Sequence, residues 1–267
     1  MNIERRFLFH GNASGIAAHI RRPTDEQLPV QAASSLPIIG GLSETTAEGK
    51  QFKSKYLGFE SAHTRAHGTY DDPKAAIDIT LGKRTPDSVP TTTHVFSEVR
   101  GLRILKNVRA GLIRGEMTSH SPRHHSEETS VSPRGSGIEG LYVNDVQLIV
   151  RLNEDFFCKH DTKQKLEQAI REGDEFARRH CIMESGGIIH ATLVDKLEWD
   201  GDAPDGVTLG SHFLKVADFG EIYFGELFIQ THSRRLTMLR AELGSPTGGT
   251  ASAGSIETNG STWPAAH

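Results

Sequence analysis

The sequence predicts a mainly β chain, an antiparallel sandwich or roll of long strands with one helix near residues 162–180. Three observations carry this expectation. Several segments alternate apolar and polar side chains with a period of two, glycine and turn residues separate them, and the regular strand–helix alternation of a doubly wound nucleotide fold is missing. The 267 residues, 36% hydrophobic and 24% charged, suffice for one large β domain or two modest ones. The expected organisation is a single β-rich domain over residues 1–243, with a flexible Gly/Pro/Ser/Thr-rich region at 21–50. A Gly/Ser/Thr-rich tail over 244–267 follows and either docks as a hairpin or stays disordered.

The elements can be justified in order. THVFSEVRGLRILKNVRAGLIRGEMTS predicts two strands, with Val95, Val99, Leu102 and Ile104 in the first and Leu112, Ile113 and Met117 in the second; Gly101 and Gly111 mark bulges or bends. In EGLYVNDVQLIVRLN, Asn144-Asp145 is a two-residue turn that sets Tyr142 opposite Gln147 and Leu141 opposite Leu148. The helix is expected in TKQKLEQAIREGDEFARRH, capped by Asp161 with Gln164 three residues on, and Gly173 is a place for it to break. GGIIHATLVDKLEW predicts one long strand with Ile189, Ala191, Leu193, Leu197 and Trp199 on one face. The aromatic-rich segment from His212 to Leu243 predicts two or three strands, and Leu236, Met238 and Arg240 on one side would bring a charge into the core. In the tail, Asn259-Gly260 suits a type I′ turn that would set Ile256 opposite Trp263.

Composition excludes little but points away from polyanions. Lysine and arginine number 30 against 34 acids, for a formal charge of -4, and no long run of one sign occurs. The apolar run Phe7-Leu8-Phe9 is too short for a signal-peptide core, and no stretch approaches the roughly 20 apolar residues of a membrane span. A cytoplasmic protein is therefore expected, with leaderless export as the alternative. Cys158 and Cys181 build no disulfide framework and are read as reduced thiols.

For chemistry, SHSPRHHSEE stands out, because His120, His124, His125 and Glu127 are the residue types of a zinc site. Pro122 and the flanking serines favour a solvated loop that would hold imidazoles loosely. His63 and His67 in HTRAH share zincin spacing but lack its glutamate, and on a strand they would stand about 13 Å apart. Asp200, Asp202 and Asp205 in WDGDAPDG read as a turn before a calcium loop. No P-loop, nucleophile elbow or cysteine-nucleophile signature is present, and no cofactor is expected. The function expected from this is a non-enzymatic structural or binding protein, self-assembling through β-sheet surfaces, with itself or another protein as partner. The alternative is a metal-dependent hydrolase built on the histidine-rich loop.

Overall fold

The computed structural model describes residues 6–85, 89–122, 128–258 and 260–263. The chain opens with β1 (Arg6–Leu8), β2 (Gly11–Ile20), β3 (Glu26–Ser35), β4 (Gly41–Glu48), β5 (Leu57–Gly58) and β6 (Ser61–Tyr70). A short helix α1 (Ala75–Thr80) leads to the two longest strands, β7 (Thr91–Ile104) and β8 (Val108–Ser121). Next come β9 (Ser130–Ser132), β10 (Gly137–Glu139), β11 (Leu141–Val143) and β12 (Val146–Leu152). Three helices follow: α2 (Glu154–Lys159), α3 (Lys163–Glu172) and α4 (Glu175–His180). The remainder is strand: β13 (Cys181–Met183), β14 (Ile189–Thr192), β15 (Val194–Trp199), β16 (Val207–Leu209), β17 (Phe213–Val216), β18 (Gly220–Ile229), β19 (Arg234–Leu243), β20 (Gly249–Thr258) and β21 (Ser261–Trp263).

Apart from β1 and β21, which pair with each other, these strands form two stacked antiparallel sheets, as the alternation predicts. The front sheet runs β15-β12-β11-β8-β7-β6-β4 and the back sheet β13-β14-β18-β19-β20-β2-β3. β2 lies over β6 and β7, and β20 over β7 and β8, so the two sheets bury one another's inner faces. Val95, Val99, Ile113 and Met117 from the front meet Ile16, Leu236, Met238 and Ile256 from the back in one continuous apolar core. Glycines set the spacing between the sheets. A β-carbon on Gly115 would lie 2.9 Å from the Gly254 carbonyl oxygen of the facing sheet.

A fold line crosses the back sheet at one level. Gly225, Met238, Gly254 and Gly15 sit side by side in β18, β19, β20 and β2, each skipped between paired neighbours, and the alternation slips by one residue there. Gly225 and Gly254 take φ of 58° and 66°, which a glycine tolerates. The slip puts Met238 and Leu239 both inside. Arg240 therefore emerges on the outer face, where Glu226 binds it at 2.6 and 2.7 Å and its guanidinium lies 4.0 Å from the Tyr223 ring centroid. The expectation that Arg240 shares the side of Met238 fails for this reason.

Several other expectations are corrected or refined. The single strand expected over GGIIHATLVDKLEW is two, because the chain crosses between sheets at Leu193: β14 belongs to the back and β15 to the front. Thr192 stabilises the crossing, its hydroxyl donating to the Phe224 carbonyl and accepting from Val194 N–H. Residues 244–267 supply β20, which lies between β19 and β2, so Ile256 stands opposite Leu236 and Ala13. Trp263 stands opposite Arg6, and Asn259 lies outside the described residues. Residues 21–50 contain β3 and β4. The Asn144-Asp145 turn pairs as expected, both residues at positive φ, with Tyr142 opposite Gln147 and Leu141 opposite Leu148.

Candidate functional site

One margin of the sandwich, between β3 and β4, is sealed by hydroxyls: Thr45 donates to the Ala33 carbonyl and Ser34 to the Thr64 carbonyl. The other margin, where β15 ends the front sheet and β13 the back, is plugged by α2, α3 and α4. The helical segment expected at 162–180 is two helices, because Gly173 takes φ 79° and terminates α3, and α2 precedes them. Each helix begins at a side-chain cap. Asn153 accepts from Phe156 N–H, Thr162 from Lys165 N–H and Asp174 from Ala177 N–H. The cap of α3 is thus Thr162, one residue beyond the expected Asp161. A second anchor comes from Glu128, whose carboxylate accepts the Lys163 and Gln164 amides at 2.5 and 2.9 Å. Phe157, Leu166 and Ala177 are the residues that fix the plug in the core.

Two clefts flank α2. The smaller, 380 Å³, is lined by Arg134, Ile138, Glu139, Leu152, Glu154 and Asp155 among others. Burial raises the Glu154 carboxyl pKa, opposed by the amides of Gly135 and Ser136, and one of its oxygens is buried with no hydrogen-bond partner among the described residues. The larger cleft, 570 Å³, opens between α2, α4 and β15. Its lining includes four carboxylates, Asp155, Asp174, Glu175 and Asp195, against Lys159 and Arg179, with His180 beside them.

Along that cleft four rings follow one another in a column, the first two contacts tilted by 45° and 42°. His160 lies 4.6 Å from Phe156, Phe156 4.6 Å from Phe176, and Phe176 4.4 Å from His180, the last pair nearly parallel. Burial lowers the pKa of His160 and of His180, and also that of His212, which faces Glu226 and Arg240. Burial also pushes the Cys181 thiol up to about 12, leaving it inert. Groups shifted chiefly by desolvation therefore gather at this plug.

The residues singled out from sequence fall elsewhere. His120 sits exposed near the end of β8, 3.3 Å from both Asp71 and the Thr92 hydroxyl, while His124, His125 and Glu127 lie outside the described residues. Glu128, the last residue of SHSPRHHSEE, anchors α3. Among the described residues no three His, Cys, Asp or Glu side chains are grouped to hold a metal. His63 and His67 are on strand β6, and His63 pairs with Glu44 at 2.7 Å. Asp200, Asp202 and Asp205 occupy the exposed turn before β16, where Gly201 and Gly206 take positive φ. Cys158 approaches the Ser132 hydroxyl at 3.0 Å, and its neighbour His160 belongs to the ring column.

Sequence reasoning missed Phe156, Phe176, His180 and Asp195. A signal for α2 was present in NEDFFCKH, where Asn153 stands three residues before Phe156 with two acids between them. Nothing local links Asp195 to His180, since their approach depends on the crossing at Leu193. That residue ties the plug to the back sheet as well, accepting from Asn153 N–H and donating to the Gly225 carbonyl.

No helix among the described residues is long and apolar enough to cross a membrane. A family model described as Domain of unknown function (DUF8256) matches residues 7–184. No curated protein and no solved structure matches the chain.

Proposed function

We propose, for a chain that belongs to the family Domain of unknown function (DUF8256), the role of a non-enzymatic binding protein whose larger cleft takes a small organic cation. The observation that carries this reading is the charge of the cleft, four carboxylates against two cations around a volume suited to a small molecule. His180 stacks on the face of Phe176, so the carboxylates supply the attraction and the half-buried Phe176 ring supplies apolar contact. Asp155 and Glu175 are paired with Arg134 and Arg179, and Asp174 caps α4. Asp195, exposed on β15, is the carboxylate most available to a ligand.

Titration calorimetry with 2-phenylethylammonium and the neutral 2-phenylethanol tests the reading. The ammonium compound is expected to bind more tightly by roughly fivefold or more, since one charge pair in water-like surroundings is worth about 1 kcal/mol. Asp195→Asn should remove most of that preference. Equal affinity for the two probes, or no saturable binding of either, would defeat it.

A second reading, self-association, has its own observation. Ile38 and Ile39 are 63% and 82% exposed, and Leu42, Ile77 and Leu81 are exposed around the same end of the front sheet, next to its last strand, β4. A second copy is the occupant proposed for this end. Sedimentation of the intact protein and of Ile39→Asp tests it: a concentration-dependent dimer that the variant abolishes supports it, and a monomer up to high micromolar concentration rejects it.

A further inference from the structure

We infer that the His160–Phe156–Phe176–His180 column is an acid-sensitive latch: protonation of its terminal imidazoles loosens α2 from α4 and weakens the cation site between them. The effect on ligand rests on the proposed binding role; the latch itself does not.

The argument starts from atoms. The Nδ1 of His180 is buried with no hydrogen-bond partner among the described residues. A neutral imidazole meets this arrangement by carrying its proton on Nε2 and leaving Nδ1 bare, whereas the imidazolium must put an N–H there with nothing to accept it. A charge over the Phe176 face gains a cation–π attraction, but an unanswered charged donor costs at least as much. The groups facing His180 are Asp195 from β15, which favours protonation, and His212 and Arg179, which oppose it. Around His160, Asp174 and the Lys165 backbone favour protonation, while Lys159 and the Lys165 ammonium oppose it. Asp155, Glu175 and Lys159 also line the cleft. At both ends desolvation is the largest influence, and the imidazole stays neutral below the ordinary histidine range.

The sign follows. A base whose pKa is depressed on folding binds its proton less tightly in the folded protein, so its contribution to stability is full above the ordinary histidine value and is lost as pH falls toward the depressed one. The loss is local, because α2 and α4 are single six-residue helices held together by the column, while the sheets carry none of these rings. Acid also places positive charge beside Asp195, which repels the cation that the cleft is proposed to hold.

Amide hydrogen-exchange protection, corrected for intrinsic rates and measured without ligand at pH 7.5 and 5.5, tests the latch. Protection in α2 and α4 should fall by about tenfold or more at the lower pH while β7, β8 and β19 keep theirs. NMR titration of the two imidazoles should give midpoints below that of an unstructured histidine, and His160→Gln and His180→Gln should each reduce the pH dependence. Unchanged protection, or imidazole midpoints at or above the unstructured value, would overturn the proposal. The wild-type measurements stand even if a variant fails to fold. Because no ligand is present, a failed latch leaves the calorimetric test of cation binding intact, and the reverse holds too.

Discussion

At the scale of single residues, Arg234 is the costliest side chain. It is 2% exposed at the start of β19, its guanidinium donates to the Val131 carbonyl at 3.5 Å, and one of its terminal nitrogens has no partner among the described residues. Burial depresses its pKa to about 10, which the Glu128 and Asp161 charges oppose. Arg234 is still charged at neutral pH, so its burial works against folding throughout the physiological range. Both acids have other partners, Glu128 on the α3 amides and Asp161 on Lys165. Arg234→Met is therefore expected to raise stability by about 1–3 kcal/mol, as when a poorly satisfied buried ion gives way to an apolar side chain. Chemical denaturation checks this, and a loss of stability would mean that Arg234 is worth more to the two acids than its burial costs. Gly115→Ala is the opposite case: its new methyl would press on the Gly254 carbonyl, and a loss of about 1–3 kcal/mol is expected from overpacking.

At the scale of elements, the turn at Asn144-Asp145 yields a clean test. Asp145 sits at φ 65° and its pairing with Arg109 is exposed, which is worth little. Asp145→Gly should raise the melting temperature, by about 0.4–1 kcal/mol in free-energy terms, if backbone conformation outweighs that ion pair. Local elements of this kind were legible in the sequence. The hairpin register, the bend at Gly101 and the break at Gly173 all depend on chemistry within a few residues, and the structure shows each, Gly101 at φ 62°. What escaped depends on tertiary partners. The slip at Met238 makes sense only beside Gly225 and Gly254, and the crossing at Leu193 only where two sheets meet. The candidate site escaped for the same reason. Its rings come from α2 and α4 and its most available carboxylate from β15, whereas the histidine run that drew attention adjoins a helix anchor.

At the scale of the whole molecule, the chain closes on itself. β20 pairs with β2 across almost the full sequence, and β1 pairs with β21. The family match ends at residue 184, inside this closed structure, before β14 and β16–β20, the strands that complete the back sheet. A fragment ending at Glu184 would expose the inner face of the front sheet, and one ending at Leu243 would lose a central strand. Neither is expected to fold, and circular dichroism with analytical gel filtration checks both; a monomeric, cooperatively melting fragment would contradict the continuity of the core. Pairing over such distances also makes folding slow, on the order of milliseconds to seconds for β topologies of this kind.

The proposed ligand site is the helix-plugged margin rather than the segment that begins at His120. The most direct test is an NMR titration of the isotopically labelled protein with 2-phenylethylammonium at pH 7.5. The account predicts saturable shifts concentrated on Asp155, Phe176, His180 and Asp195, with the amides around His120 undisturbed. Shifts centred on His120 at the end of β8, or scattered over the surface without saturation, would contradict it.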